Sequence, residues 1–268
     1  MPIRIARICR YPVKGLSCEP LTRVVLTPGE CLPQDRRFAL ARAGTRFDPQ
    51  HPEWLPKSNF VMLMREEKLA ELQTRFDEDS GCLTIERNGR MLLSARITDR
   101  SGCESVSGFF RAFLGTAPDG VPRLVQARGH TFSNASKKPN STTWQYVSIV
   151  NLETIRALEQ AAGVSLDPIR FRANFYIDGA AAWSEFDWVG SGLDLGGARL
   201  HVVSRIVRCA ATAVNPATAV RDVDVPAILQ RAFGHTHLGV YAEVSRGGEV
   251  VVGDAAVPDG ASMGVRAC

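Results

Sequence analysis

The 268-residue sequence predicts an α+β fold that is mainly β, built as two barrel-like parts. Three observations lead there. Short runs of alternating apolar and polar residues recur along the chain. Turn signals such as Asn88-Gly89 separate many of them. Helical spacing of apolar residues is confined to a few stretches.

Taken in order, RIARICRYPV, PLTRVVLT and RRFALAR read as strands, separated by the turn-prone KGLSCE and TPGECLPQD. From Phe60 to Ile97 the pattern stays β, with turns at Asp79-Ser80-Gly81 and at Asn88-Gly89, the strongest two-residue hairpin signal. Val106, Phe109, Phe110 and Phe113 then fall at helical spacing, which predicts a helix over Glu104 to Leu114. Thr116 to Arg123, rich in Pro and Gly, marks a boundary between a part at 1–118 and a part at 119–268. PRLVQAR resumes a strand, and the polar run 129–143 reads as a long loop, either mobile or part of a ligand-binding rim. After the strand YVSIV, Asn151 is placed to cap a helix whose body is LETIRALEQAA and whose stop is Gly163. RFRANFYIDG reads as a strand, LDLGGARLHVV as a hairpin and VPAILQRAFG as a short helix. LGVYAEVSRGGEVVVGDAAV reads as a second hairpin, closed by Arg246-Gly247-Gly248.

Composition narrows the function classes. Apolar residues make up 45% and charged residues 22%, with a net charge of +4, ordinary values for a globular protein. Its five lysines stand against 27 arginines, a bias that GC-rich coding also produces. Arginine's planar fork nevertheless suits phosphate and carboxylate. No basic cluster is interleaved with aromatics, so nucleic acid is not an expected partner. No apolar run approaches the length of a membrane span, and the N-terminus carries no signal core, so the expectation is a cytoplasmic protein without membrane attachment. The seven cysteines are odd in number and irregularly spaced, with no C-x-x-C, which argues against a disulfide scaffold, a zinc ribbon or an iron–sulfur run. G-x-x-x-x-G-K-[ST], G-x-G-x-x-G and G-x-S-x-G are also absent. His235 and His237 would share a strand face, yet have no third ligand nearby in sequence.

The stretch His201 to Arg221 gathers the chemistry. An apolar strand runs into Arg208-Cys209 and leaves through a threonine-containing segment and an Asn-Pro turn. A neighbouring cation favours the thiolate, which acts as a nucleophile or soft-metal ligand. A cysteine at the end of an apolar strand is usually a small buried hydrophobe, and local sequence alone favours that reading. Lys14 in YPVKG and Arg36 in QDRRF lie beside turns, and Arg172 and Asn174, two apart, would share one face of a strand. Taken singly, each reads as a surface charge or a structural pair. If they converge, they form a cationic cradle for an anion with a thiolate beside it.

Ordered motifs over nearly the whole length carry a family resemblance: YPVKG, QDRRFAL, VSIVNLETIRALE, RFRANFYID, VRCAATAVNPATAV, and LGVYAEV through VVGDAAV. The chain resembles the MOSC superfamily in its two-part form, with an N-terminal MOSC β-barrel domain. That form includes the mitochondrial amidoxime-reducing component and its bacterial relatives. The resemblance implies a smaller N-terminal barrel-like domain packed on a MOSC core, and a molybdenum cofactor with molybdopterin. Cys209 would be the thiolate ligand of the metal and the catalytic residue. Lys14, Gly15, Arg36, Arg172, Asn174, Val207, Arg208 and Tyr241 would contact the cofactor.

Gly15 and Val207 stand where the amidoxime reducers often have serine, so two hydroxyl contacts are lost unless backbone N–H groups replace them. The implied reaction is oxygen-atom transfer that reduces N-hydroxylated or N-oxide small molecules, with electrons from a separate reductase partner. MOSC domains also occur in cofactor sulfurases, alongside a pyridoxal-phosphate domain that this sequence does not contain. Sulfur transfer through a Cys209 persulfide, and simple carriage of the cofactor, are therefore the competing expectations.

Overall fold

The computed structural model describes residues 2–115, 120–135 and 143–260. Its strands are β1 (Arg4–Arg10), β2 (Glu19–Leu21), β3 (Arg23–Leu26) and β4 (Phe38–Ala41), then β5 (Gln73–Asp77), β6 (Cys82–Arg87) and β7 (Arg90–Arg96). Helix α1 (Arg100–Leu114) and β8 (Arg123–Gln126) follow, then β9 (Val147–Asn151), α2 (Leu152–Ala162) and β10 (Phe175–Asp178). The chain continues through β11 (Gly192–Leu195), β12 (Ala198–Val207), α3 (Val225–Phe233), β13 (His237–Arg246), β14 (Gly248–Val251) and β15 (Ala256–Pro258). The fold is thus mainly β with some helix.

Eight strands form one sheet in the order β15-β11-β12-β13-β9-β10-β1-β2. It is antiparallel except for β9 and β10, which run parallel and are joined by the crossover containing α2, as parallel neighbours require. The sheet curls until the start of β1 meets the segment before β15. Ile5 N donates to Asp254 O at 2.9 Å, Gly253 N to Ile5 O at 2.8 Å, and Ala256 N to Ile3 O at 3.0 Å. These bonds close the sheet on itself and remove most of its open edge.

Inside lie Ile5, Ile8, Ile149, Phe175, Leu200, Val202 and Val240, all buried. On the outside, α2 and α3 cover a second apolar layer built on Tyr11, Val150, Tyr176 and Leu238. A separate core gathers Phe38, Phe76, Leu83, Ile85, Val106 and Phe110 under α1, the β5–β7 sheet and the β4–β8 pair. Val214, from the segment after Cys209, is buried in that core too. The Cys209 segment therefore bridges the two halves of the molecule.

Local signals placed several elements as expected. Asn88 and Gly89 both take positive φ, 54° and 73°, the geometry a two-residue hairpin needs. The Asn151 side chain accepts from Glu153 N, and Gly163 ends α2 in the left-handed region. Four differences have physical causes. Helix α1 begins at Arg100 rather than Glu104, because Asp99 caps it by accepting from Gly102 N.

The expected strand RFRANFYIDG begins only at Phe175. Asp167 and Pro168 instead open a 3-10 turn, Pro168–Phe171, and Arg172 sits at φ 51°, which breaks strand pairing. PLTRVVLT splits at Thr22, with β2 pairing to β1 and β3 to β14. The expected closing hairpin is not one, since β14 leaves β13 to pair with β3. Gly247 and Gly248 allow this change of sheet, because a Cβ there would meet Leu26 O at 2.7 Å and Gly197 O at 2.2 Å.

Candidate functional site

The site lies at one end of the curled sheet, where β12 ends and β9 and β10 begin. Ser148 and Asn174 hold those strand starts together. Asn174 is buried; its Oδ1 accepts from Ser148 N at 3.0 Å and from Ser148 Oγ at 2.9 Å, and its Nδ2 donates to Cys9 O at 3.3 Å. Asn174 lines the site as a clamp between β1, β9 and the turn after Arg172.

A cavity of about 430 Å³ opens here, lined by Arg36, Ser148, Arg172, Asn174, Val207, Arg208, Cys209 and Tyr241 among others. A small adjoining cavity of about 50 Å³ is lined by Lys14 and Gly15, and it shares Arg36, Arg172 and Cys209 with the first. The nine residues singled out from sequence thus border one connected space. Its lining also includes Lys57, Asn134, Arg170 and Arg205. Sequence reasoning passed over these: Arg170 opens the RFRANFYID motif but was not singled out, and the alternation of Arg205 with Val207 on β12 was the one hint of a shared face. No aspartate or glutamate lines either cavity among the described residues. Residues 136–142 of the polar loop 129–143 fall outside the described residues. The part that is seen contributes Ser133, Asn134 and Ala135 to the lining.

The cations are held in different ways. Arg208 donates from Nε and Nη2 to Leu238 O at 2.8 and 2.5 Å and from Nη1 to Phe171 O at 2.8 Å. It therefore fixes the end of β12 rather than standing free. Arg170 is buried and pairs with Asp222 at 2.7 Å. Arg36, at φ 50°, bonds to Asp35 and donates to Arg172 O at 3.0 Å.

Arg172 lies over the Tyr11 ring at 4.4 Å, and its Nη2 is buried without a hydrogen-bond partner. Burial, with Arg36 nearby, pulls the Arg172 guanidinium below its ordinary pKa. Lys14 is also buried, its Nζ donating to Phe132 O at 2.7 Å and Asn134 Oδ1 at 2.5 Å. Burial, then Arg36, Arg172 and Lys57, push its pKa down to about 7. Such crowded, under-partnered cations are what a bound polyanion relieves.

Cys209 starts a 3-10 turn, Ala210–Ala213, and its carbonyl accepts from Thr212 N and Thr212 Oγ1. It is neither buried nor disulfide-bonded, so it is not the packed hydrophobe that the local sequence allowed. Val207, 64% exposed, offers the site only its backbone and a small apolar surface. Tyr241 stands beside Tyr146, with ring centroids 6.0 Å apart.

Residues 134–257 match the family model for the MOSC domain. The chain carries a MOSC domain. This family is associated with molybdenum-cofactor binding. Arg172, Asn174, Val207, Arg208, Cys209 and Tyr241 lie within the MOSC domain, while Lys14, Gly15 and Arg36 reach the site from outside it. Among solved structures, the chain is similar to the YuaD protein from Bacillus subtilis, at 13% identity and a TM-score of 0.45 over 96% of this chain and 94% of that one. It is also similar to YiiM from Geobacillus stearothermophilus, at 19% identity and a TM-score of 0.34 over 44% of this chain and 56% of that one. No curated protein matches the chain.

His235 and His237 lie away from this cavity. Their rings are 5.8 Å apart, and His235 packs among Trp183, Phe186 and Phe233. No group of three His, Cys, Asp or Glu side chains suited to a metal occurs among the described residues. Among the described residues, no helix is long and apolar enough to cross a membrane.

Proposed function

We propose that this protein binds a molybdenum cofactor in the cationic cavity and reduces N-oxygenated small molecules there. The observation that carries the reading is the under-partnered Arg172 guanidinium, set beside Arg36 and Lys14 in a space that also exposes the Cys209 thiol. An anionic pterin phosphate suits Arg172, Arg36 and Lys14, which together offer a planar fork and a point charge. Cys209 supplies the one thiol in that lining among the described residues, as a thiophilic metal needs.

When bound, the cofactor supplies two-electron oxygen-atom transfer chemistry. The chain's own residues bind and orient it. Arg208 and Asn174 fix the strand ends from which Cys209 and Arg172 project, and the rim at Trp54, Lys57 and Arg205 borders the path for a small-molecule substrate. In this reading a separate reductase partner supplies the electrons.

Metal and pterin analysis of protein made in a cofactor-competent host, combined with benzamidoxime reduction by an artificial electron donor, tests the reading. Stoichiometric molybdenum with turnover supports it. Molybdenum without turnover assigns a cofactor carrier instead. Sulfane sulfur on Cys209 without molybdenum assigns a sulfur transferase.

A further inference from the structure

A third cavity, of about 640 Å³, is bordered by β1, β2 and β5 and shares no lining residue with the first two. Its wall includes Arg10, Cys18, Glu19, Arg75 and Glu78. Arg10 is committed there, paired with Glu19 at 2.8 Å and with Glu78. Cys18 is half-buried, and directly behind it Cys9 is fully buried in the layer that also contains Tyr11.

The hairpin register explains the proximity. β1 pairs Cys9 with Pro20 and Arg10 with Glu19, so one further step sets Tyr11 opposite Cys18. Cys9 and Cys18 are then diagonal neighbours on one face, and Cys18 packs against the same apolar layer that holds Cys9.

We propose that Cys18 and Cys9 form a peroxide-reactive thiol pair, in which Cys18 is oxidised first and Cys9 resolves it to an intramolecular disulfide. Exposure divides the roles: Cys18 stands half-buried on the cavity wall where a peroxide can reach it, and Cys9 is fully buried. The neighbouring Cys9 thiol, with help from Arg172 and Arg7 against the opposing effect of burial, draws the Cys18 thiol below its ordinary value. The Cys9 thiol moves the other way and keeps its proton, through its neighbour Cys18 and its burial. A lowered thiol at the edge of an open cavity, with a second thiol behind it, is the arrangement of a redox-sensitive site.

In the first step the Cys18 thiolate attacks one peroxide oxygen. The O–O bond breaks, hydroxide leaves and takes up a proton, and Cys18 becomes a sulfenic acid. Cys9 sulfur then attacks Cys18 sulfur; the S–O bond breaks, the Cys9 proton leaves with the hydroxyl as water, and the disulfide forms. One peroxide is reduced to two waters by the two electrons of the thiol pair, and a small-molecule thiol reverses the change by exchange.

The proposal does not depend on cofactor binding. Its test treats the full chain with less than one equivalent of hydrogen peroxide, blocks remaining thiols and maps the products by non-reducing proteolysis and mass spectrometry. The expected result is a Cys9–Cys18 linked peptide, with Cys18 consumed at least about tenfold faster than the half-buried Cys82. Cys9→Ser should accumulate a sulfenic acid on Cys18 that a cyclic diketone traps, and Cys18→Ser should leave Cys9 reduced. Cys18 reacting no faster than Cys82 in the unmodified protein, or linking to a cysteine other than Cys9, overturns the proposal; neither readout needs a variant to fold.

Discussion

Cys209→Ala removes the thiol from the cavity, and the side chain is only half-buried and belongs to none of the apolar cores. Turnover with an artificial donor should fall to background while the unfolding midpoint in urea stays within error; full activity would sink the metal-ligand role. Arg172→Ala tests the cradle. It deletes a buried guanidinium whose Nη2 has no partner, so the empty protein should lose only about 1 kcal/mol, the worth of its contact with the Tyr11 ring. Pterin retention should drop by about tenfold to a hundredfold, the worth of charge-assisted hydrogen bonds; quantifying pterin per chain after gel filtration checks this.

Lys14 makes a prediction about pH. Its folded value of about 7 lies below its ordinary 10.5, so between those limits the unfolded chain binds the proton and the folded chain does not. Stability of the empty protein should therefore rise with pH across that window, and the cost of the buried charge is fully present below about pH 7. Urea unfolding from pH 6 to 10 should show the slope, and Lys14→Met should flatten it. Pyrophosphate affinity should move oppositely, weakening as pH rises through about 7 and Lys14 loses its charge.

At the scale of elements, legibility tracks how local each signal is. Asn88-Gly89 and the Asn151-to-Gly163 helix carried their own turn and cap chemistry, so a few residues were enough to place them. Arg172 and Asn174 were recognisable as site residues, but their setting was not. Asp167 and Pro168 bend the chain into a 3-10 turn, and Asn174 finds its partners on β9 and β1, far away in sequence. Asn174→Ala would strand buried groups of Ser148 and the Cys9 carbonyl, so about 2–4 kcal/mol of stability should be lost, readable by thermal denaturation. Gly102 is a second sensitive point. A Cβ there would lie 1.8 Å from Arg96 O, so Gly102→Ala must push α1 off β7. Unchanged stability in that variant would mean that the helix does not pack where it is described.

Over the whole molecule, the mainly-β class was readable because alternation survives in nearly every strand. The site was readable as a set because ordered motifs supplied what spacing could not: which distant residues converge. Long-range pairing was hidden. Nothing in GGEVVV distinguishes a strand that folds back on β13 from one that crosses to β3, since both would bury Val250. The site is shared between the halves, with Lys14 and Arg36 contributed from the N-terminal side and Cys209 from the MOSC domain, whose Val214 anchors in the other core.

The bonds from Ile3 and Ile5 to residues 253–256 also impose a timetable on biosynthesis. β1 leaves the ribosome first, yet the backbone partners that seal its first residues are among the last described ones to be made. Until they arrive, Lys14 and Cys209 belong to an unsealed sheet, and a pairing that spans almost the full described length is slow to find. Nascent chains stalled before Gly253 should accordingly remain protease-sensitive at β1. Release of a further stretch reaching past Pro258 should confer protection in one step.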